Sequence, residues 1–355
     1  MTSHRHTKRG YTIIGAGAIG GTVGHALLKA GHPVVFIDTD ASHVQAVRDE
    51  GLGIRFPDGR EDTVQVPHIY TPDDYPAGRG PIERAVIATK SQHTLDAAQW
   101  AAAHLSHNGF IVSLQNGHNE PVIASVAGPH RVLGAFVNIF ADYLEPGVIS
   151  FGGPGALSVG HPGGGAPDTR VLDVASDFRA YGPVTSTANL AGYRWAKRSF
   201  AAILGLASVV DAPLADVVAK YPDLAFLAAR EAVEVAVREG IILESFDAFE
   251  PYAFSDAASG SARDAATTRL SDWLATQPKD RSGGFRDIAV RHRPTERLLI
   301  DDGYADLAAK HSVSTELNAA VRSILQDVAA GRGQFSWTHL DSLRRRFAEA
   351  PALTS

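Results

Sequence analysis

The stretch Gly15-Ala16-Gly17-Ala18-Ile19-Gly20 decides the fold of this chain. It follows a short apolar run at residues 12–14, which predicts a strand, and it precedes a helical pattern at residues 21–30. Glycines at this spacing allow a tight turn, a close approach of the backbone to a ligand, and close packing of helix on strand. Because the N-terminus of a helix attracts anions, the stretch predicts a loop that binds the pyrophosphate of a dinucleotide.

A second strand is predicted at residues 34–37, and it ends at Asp38, 21 residues beyond Gly17. A carboxylate at this position can accept hydrogen bonds from the adenosine ribose hydroxyls. It also repels a 2′-phosphate, and the following Thr39-Asp40 offers no arginine to bind one. We therefore predict NAD as the cofactor and leave NADP open, because Arg48 or a loop residue could reach the phosphate. The residues predicted to bind the cofactor here are Gly15, Gly17, Ala18, Ile19, Gly20 and Asp38.

The alternative for this region is a glycine-rich turn in an α/β fold that binds no nucleotide. Asp38 would then do no more than cap a loop. The glycine spacing alone does not separate the two interpretations, and the following strand with its terminal carboxylate favours the dinucleotide site.

The rest of the chain predicts an α/β protein with two domains. Up to about residue 159, apolar runs alternate with helical stretches, which is typical of a parallel sheet covered by helices, and a Gly-rich region from 146 to 165 predicts hairpins that close this sheet. We predict a Rossmann-type doubly wound domain at residues 1–190 and an all-helical domain at residues 191–355. Further strands are predicted at residues 85–88, 110–113, 132–136, 148–151 and 156–159, and helices at 192–210, 224–239, 267–274, 297–310 and 315–330.

Composition excludes several classes of function. The chain of 355 residues has 33 basic and 39 acidic residues and a net charge of −6, so no nucleic-acid partner is expected. It has no cysteine, which excludes thiol nucleophiles and thiolate metal sites. No apolar segment is long enough for a membrane span or a signal peptide, so we predict a cytoplasmic protein without membrane contact. His93, His118 and His292 lack metal-ligand spacing, and no metal is predicted.

Further motifs follow the glycine-rich stretch in a fixed order, and the most specific are Leu114-Gln115-Asn116-Gly117 and Trp195-Ala196-Lys197. With them the chain resembles the ketopantoate reductase, or 2-dehydropantoate 2-reductase, family. The resemblance implies a Rossmann domain followed by a helical domain similar to that of 6-phosphogluconate dehydrogenases, and reduction of a 2-keto acid with NADPH. The other matching motifs are Ala88-Thr89-Lys90, Pro146-Gly147 and Pro294-Thr295-Glu296.

The resemblance assigns the catalytic residues to Lys197 and Glu296. It also assigns cofactor binding to Lys90, near the nicotinamide, and cofactor and substrate binding to Asn116. The chemistry agrees, because reducing a ketone needs a hydride and a proton, and a partly desolvated lysine can donate that proton.

Each of these assignments has a structural alternative. Lys197 could be a surface lysine with a buried stem, and Lys90 a solvated loop residue. Glu296 could be a carboxylate favoured by a helix dipole, and Asn116 a turn residue that tolerates a left-handed backbone. For Glu231, which matches a glutamate of the family, an ion pair is a sufficient explanation.

The chain departs from the family pattern at positions that contact the substrate. The resemblance implies asparagines where this chain has Ala201 and Ala215, and a serine where it has Gly283. It also implies a spacing from Asp287 to Glu296 that is one residue shorter than the one found. A buried polar substrate that lost these partners would bind about 1–3 kcal/mol more weakly for each, so ketopantoate itself is doubtful.

Other polar residues are candidates for substrate binding. Ser208 and Asp211 are expected on the helix face of Lys197, because they lie 11 and 14 residues further along. Ser282 is adjacent to Gly283. The same residues could instead form an exposed polar stripe.

The sequence therefore predicts an NAD(P)-dependent oxidoreductase that transfers a hydride between nicotinamide and a hydroxy acid, keto acid or related polar alcohol. One alternative is a genuine 2-dehydropantoate 2-reductase of pantothenate synthesis. Another is a dinucleotide-binding sensor without turnover, which would not need both Lys197 and Glu296. A small-molecule substrate is the expected partner, and a homodimer remains open.

Overall fold

A computed structural model describes residues 8–295, 298 and 303–348, and the chain divides after Leu190 into two compact units. The N-terminal unit is built from strands and helices, and the C-terminal unit from helices. The strands of the N-terminal unit are β1 (Tyr11–Ile14), β2 (Val34–Ile37), β3 (Leu52–Arg55), β4 (Glu61–Val64), β5 (Ile69–Tyr70), β6 (Ile82–Ile87), β7 (Leu105–Ser113), β8 (Val132–Val137), β9 (Ala141–Glu145), β10 (Val148–Phe151), β11 (Leu157–Gly160) and β12 (Val184–Thr187). Its helices are α1 (Ala18–Lys29), α2 (Ala41–Glu50), α3 (Thr94–His104), α4 (Glu120–Ala127) and α5 (Thr169–Phe178).

The main sheet of the N-terminal unit has eight strands in the described part of the chain, in the order β12-β11-β8-β7-β6-β1-β2-β5. Its strand pairs are parallel except for β11, which is antiparallel to β8. The central strands are buried on both faces, because helices cover the sheet, and they carry the apolar runs visible in the sequence. The predicted α/β class with a parallel sheet is confirmed. The carboxyl ends of β1, β2, β6 and β7 lie at one edge, where doubly wound sheets bind ligands.

The N-terminal unit has a second sheet, with the strand order β4-β3-β10-β9, which differs from the predicted hairpins. β9 and β10 do form an antiparallel pair, but β10 also pairs with β3, outside the main sheet. The expectation that residues 148–151 close the main sheet was therefore wrong. The second sheet packs on α1: a Cβ at Gly21 would lie 2.3 Å from the Cδ1 atom of Ile149, so a larger residue at position 21 would displace this side chain.

Helices make up the C-terminal unit, in agreement with the predicted all-helical character. The unbroken helix predicted for residues 192–210 was wrong at its end, because α6 stops at Leu206. The chain turns there, since the backbone N–H of Ser208 donates to Gly205, three residues back, and Pro213 follows before the next helix. The helices of this unit are α6 (Leu190–Leu206), α7 (Leu214–Lys220), α8 (Pro222–Arg238), α9 (Gly260–Ala275), α10 (Gly283–Phe285), α11 (Tyr304–Lys310), α12 (Glu316–Ala329) and α13 (Trp337–Phe347).

Within residues 8–295, 298 and 303–348, the structure shows neither a membrane-spanning helix nor a cluster of metal ligands. None of the helices there combines the length and apolar character needed to cross a membrane. Nor do His, Asp or Glu side chains of these residues form a group of three or more suited to a metal ion.

Candidate active site

Gly15 ends β1 in a conformation that only glycine adopts easily, with a φ of +97°. A Cβ at this residue would lie 2.9 Å from the backbone of both Ala88 and Thr89, which follow β6. The backbone N–H of Gly15 donates to the carbonyl of Ile37 at 2.8 Å. Gly15 therefore lets three neighbouring strand ends meet tightly at the ligand-binding edge.

Gly17 and Gly20 play different parts in the same loop. Gly20 lies on α1 against the strand, and a Cβ there would lie 2.0 Å from the carbonyl oxygen of Gly15. Gly17 caps the start of α1, and apart from its neighbours along the chain no heavy atom of the described residues lies within 4 Å of its Cβ position. Ala18 and Ile19 form the first turn, which contains no acidic side chain to compete for its N–H groups. This open helix start fits the pyrophosphate of a dinucleotide.

Asp38 lies at the end of β2 and braces the glycine-rich loop. Its Oδ2 accepts from the backbone N–H of Ala16 at 2.7 Å, and its Oδ1 accepts from the N–H of Asp40 at 2.9 Å. Asp38 thus caps a loop, as the alternative interpretation expected, but the loop that it fixes is the one formed by the glycines. Each carboxylate oxygen retains a further lone pair with which it can accept a ribose hydroxyl.

Asp40 adds a second carboxylate at the end of β2. It caps α2, accepting from the backbone N–H groups of Ser42 and His43. The hydroxyl of Ser42 also donates to it, and this bond holds the pKa of the Asp40 carboxyl below its usual value. Burial and the nearby Asp40 raise the pKa of Tyr143 to about 12, so Tyr143 is a neutral donor here. The ribose end of the candidate site is therefore acidic.

Arg48 is not placed to serve as the cation that a 2′-phosphate would need. Its Nε and Nη2 donate to the carbonyl of Ile69 at 3.0 and 2.9 Å, and Nη2 also binds Asp74 at 2.5 Å. These three hydrogen bonds hold the guanidinium in place, and a phosphate could recruit it only by breaking them.

A buried amide network, which the sequence did not predict, joins the loops after β6 and β7. The Gln115 side chain donates to the carbonyl of Thr89 at 3.0 Å and to the Thr94 hydroxyl at 2.9 Å. The Asn119 side chain donates to the carbonyl of Asn116 at 2.8 Å. Gln115, Thr94 and Asn119 are at most 9% exposed, so they act as cross-links between the two loops. The two loops carry Lys90 and Asn116, both exposed at the ligand-binding edge.

The structural alternative for Asn116 was wrong. The left-handed residue of this turn is Gly117, with a φ of +85°, and Asn116 does not have a positive φ. Turn geometry therefore does not account for an asparagine at position 116.

Lys197 lies on α6 and is half-buried. The helix packs through Ala196, Phe200 and Ile203, each at most 1% exposed, so it is firmly embedded in the C-terminal unit. On the face of Lys197, the next two turns carry Ala201 and Leu204, both partly exposed. Toward the C-terminal end of α6, the surface that continues from the lysine is therefore apolar.

The polar residues expected to share that face do not do so, because α6 ends before them. Ser208 is 1% exposed, and its hydroxyl donates to the carbonyl of Leu204. Asp211 is exposed and forms a 2.9 Å ion pair with Arg281. Ser282 is 2% exposed; it caps α10 and donates to the carbonyl of Ala207 at 3.2 Å. All three side chains have structural partners within the C-terminal unit.

Glu296, the second expected catalytic residue, lies outside the described residues. The segment that leads toward it contains a π-helical turn at Arg286–Val290, in which the N–H of Arg291 donates to the carbonyl of Arg286, five residues back. A π turn takes one residue more than an α turn. Asp287 is fixed by ion pairs with Arg291 and Arg293.

Glu231 has a different role from the expected ion pair. It lies on α8, and its carboxylate accepts the backbone N–H groups of Leu317 and Asn318 at 2.8 and 3.0 Å, at the start of α12. Burial raises the pKa of this carboxyl, although the hydrogen bonds oppose the shift. Glu231 supplies an acceptor that α12 needs, because this helix has no side-chain cap of its own for its first N–H groups.

Comparison with known proteins shows what the N-terminal unit is similar to. Residues 11–164 match the family model described as "Ketopantoate reductase PanE/ApbA". A curated 2-dehydropantoate 2-reductase from Pyrococcus abyssi is 32% identical over 192 residues, which cover 52% of this chain and 58% of that protein. The N-terminal unit of the chain is therefore similar to the ketopantoate reductase family. The aligned region spans less than two thirds of the length of that relative, and the Trp195-Ala196-Lys197 motif lies beyond the family-model match.

Solved structures extend the likeness to the whole fold. A 2-dehydropantoate 2-reductase from Geobacter metallireducens superposes with a TM-score of 0.73 at 21% identity, covering 90% of this chain and 99% of that one. A D-mandelate dehydrogenase in complex with NADH gives a TM-score of 0.72 at 18% identity, covering 91% of this chain and 99% of that one. At such identities the likeness concerns the fold alone.

Proposed function

We propose that this protein is an NAD(P)-dependent oxidoreductase that transfers a hydride between nicotinamide and a hydroxy acid or keto acid. The observation that carries the proposal is the loop from Gly15 to Gly20, where the position beside Gly17 is open at an uncapped helix start. The N-terminal unit, residues 1–190, would bind the dinucleotide. The C-terminal unit, residues 191–355, would supply Lys197.

The acidic end of β2 supports NAD as the preferred cofactor. Asp38 and Asp40 both lie there, and a 2′-phosphate beside them would meet like charges. Arg48 is engaged by Ile69 and Asp74, so it offers no ready counter-charge. NADP would bind only if this repulsion were offset.

Lys197 would handle the proton. A bound reduced nicotinamide supplies a hydride to the carbonyl carbon of a keto acid. The Lys197 ammonium gives a proton to the carbonyl oxygen, and in the oxidative direction the neutral amine takes the proton from the hydroxyl. Lys90 and Asn116, on the loops cross-linked by Gln115, are proposed to contact the cofactor, and Asn116 also the substrate. Glu296 keeps the catalytic role that the family resemblance gives it.

The surface next to Lys197 favours a substrate with an apolar substituent. Ala201 and Leu204 lie one and two turns from the lysine. The hydroxyls of Ser208 and Ser282 already donate hydrogen bonds to backbone carbonyls. A hydroxyl on the substrate would form few hydrogen bonds there, so the free energy of its desolvation would not be offset. We therefore rank a hydroxy acid with an alkyl or aryl side chain above ketopantoate.

A genuine 2-dehydropantoate 2-reductase is the second candidate, because curated relatives carry that name. It requires groups other than Ser208, Asp211 and Ser282 to bind the hydroxyl of its substrate. A sensor without turnover is the third candidate, and it needs no acid–base lysine on α6.

One experiment separates these candidates. NADH and NADPH are titrated by nicotinamide fluorescence, and 2-keto acids with alkyl, aryl and hydroxyalkyl side chains are then tested as substrates, ketopantoate included. We expect tighter binding of NADH and the fastest turnover with an alkyl or aryl keto acid. Lys197→Ala should lower kcat by about 10²–10⁴-fold while NADH binding stays within about twofold.

The matched control is Lys220→Ala, also in the C-terminal unit, where the ammonium lies over the ring of Trp337. It should keep the wild-type rate. Full activity of Lys197→Ala when chemistry is limiting would refute the catalytic role. Fastest turnover of ketopantoate would favour the second candidate, and nucleotide binding without any turnover would favour the sensor.

A further inference from the structure

His43 on α2 lies between the glycine-rich loop and the second sheet, and it is 1% exposed. Its Nε2 lies 3.0 Å from the carbonyl oxygen of Ala16, and its Nδ1 lies 2.9 Å from the backbone nitrogen of Gly147. Since a backbone N–H can only donate, Nδ1 is the acceptor. Nε2 therefore carries the proton and donates to Ala16.

This contact gives the Pro146-Gly147 motif a structural role. Gly147 has a φ of +83° in the turn between β9 and β10, and its carbonyl accepts from the N–H of Gly53 on β3 at 2.8 Å. Both backbone groups of Gly147 are thus engaged, one by the second sheet and one by His43. The turn holds the imidazole from behind, and Tyr143 packs edge-on against the ring at 5.2 Å.

The consequence for the loop follows from peptide geometry. In a trans peptide the carbonyl and the following N–H point in opposite directions. Because His43 holds the carbonyl of Ala16, the N–H of Gly17 is directed away from the imidazole. Asp38 holds the N–H of Ala16 at 2.7 Å, so two consecutive peptide planes of the loop are fixed.

We propose that His43 is a positioning residue that aims the N–H of Gly17 at the pyrophosphate of the bound dinucleotide, with the Pro146-Gly147 turn as its support. The inference rests on the proposed nucleotide binding. His43 itself would not touch the cofactor. Its effect would be to fix a donor in advance, so that binding does not have to order the loop.

The chain offers a matched control in His25. This histidine lies on α1 in the same unit, is 5% exposed, and has its Nε2 3.0 Å from a backbone carbonyl oxygen, that of Asp62. Both histidines are therefore buried side chains bonded to a backbone carbonyl. Only His43 is bonded to the glycine-rich loop.

The experiment compares His43→Asn with His25→Asn. An asparagine at position 43 is too short to reach the carbonyl of Ala16. We expect the Kd of NADH to rise by about tenfold or more in His43→Asn and to stay within about twofold in His25→Asn. Affinity for ADP-ribose should fall in parallel, whereas affinity for adenosine, which has no pyrophosphate, should not change. A general loss of packing would not produce this split.

The outcomes separate the inference from the proposed function. Wild-type protein that binds neither NADH nor NADPH would refute the function itself. Wild-type binding with an unchanged Kd in folded His43→Asn would refute only the role of His43. Should that variant not fold, NMR of the wild-type protein decides: ADP-ribose, but not adenosine, must shift the Gly17 amide while the His43 ring keeps its Nε2–H tautomer. An unshifted Gly17 amide would overturn the inference.

Discussion

Glu231 and Asn318 join α8 to the start of α12 through three hydrogen bonds to one carboxylate. The Oε2 atom of Glu231 accepts both the backbone N–H of Asn318 at 3.0 Å and its side-chain amide at 2.7 Å. The other oxygen accepts the N–H of Leu317 at 2.8 Å. A carboxylate from one helix thus replaces the missing N-cap of another.

Replacing this carboxylate by an amide should destabilise the C-terminal unit. In Glu231→Gln only one oxygen remains, and the amide nitrogen would face donors, which leaves buried N–H groups without an acceptor. We expect the free energy of unfolding to fall by about 1–3 kcal/mol, measured by urea denaturation. Glu234→Gln on the same helix is the control, because it keeps an oxygen for the N–H of Asp256 and should change stability by less than about 0.5 kcal/mol. Equal stability of both variants would contradict the cap.

The two glycines at the start of α1 should separate binding from stability. Gly17→Ala adds a methyl group where, apart from the neighbours along the chain, no described atom lies within 4 Å. The φ of −72° is ordinary, so the free energy of unfolding should change by less than about 1 kcal/mol. The methyl group would occupy space needed by a pyrophosphate, so the Kd of NADH should rise by about tenfold or more.

Gly20→Ala should behave in the opposite way. Its methyl group would lie 2.0 Å from the carbonyl oxygen of Gly15, so the unit should lose at least about 1–3 kcal/mol of stability. Thermal unfolding and NADH titration of the two variants check both expectations. Wild-type NADH affinity in Gly17→Ala would contradict the assignment of this loop to the pyrophosphate.

The central strands could be predicted because they are buried on both faces and form uninterrupted apolar runs, as at Val34–Ile37 and Val132–Val137. β3 and β4 were missed because their residues alternate between a packed and an exposed face and include charges, which resembles a loop in a short window. The end of α6 was missed because the helical spacing of apolar residues continues through Ser208. The backbone turn that ends the helix does not change this spacing.

The candidate site divides in the same way. Local spacing was enough to place Gly15 and Gly17 in one loop, because that loop is built from consecutive residues, and Asp38 beside it, because it follows the neighbouring strand. Gln115 and His43 hold residues that lie 26 and 27 positions away, through side-chain hydrogen bonds that no periodic sequence pattern indicates. For His43 the only signal in the sequence was the Pro146-Gly147 motif, whose partner could not be known before the second sheet was seen.

His25 should make the folded state sensitive to mild acid. Burial on α1 lowers the pKa of its imidazole below the usual 6.5, and the charge of Lys29 lowers this pKa further. The hydrogen bond to the carbonyl of Asp62 and the charge of Asp62 raise the pKa, but by less. Between this lowered pKa and 6.5 the unfolded chain binds more protons than the folded one. The contribution of His25 to stability is therefore fully present above pH 6.5 and is lost as the pH falls through the folded-state pKa.

The prediction is a difference between two pH profiles. Urea unfolding of wild-type protein and of His25→Asn, measured from pH 8 down to pH 5, should give a larger loss of unfolding free energy in the wild type, with the divergence beginning at about pH 6.5. Taking the difference cancels the other titrating groups, including Asp62 and Lys29, provided that they keep their ion pair of 2.5 Å in the variant. Parallel profiles would mean that His25 is solvated and titrates alike in both states.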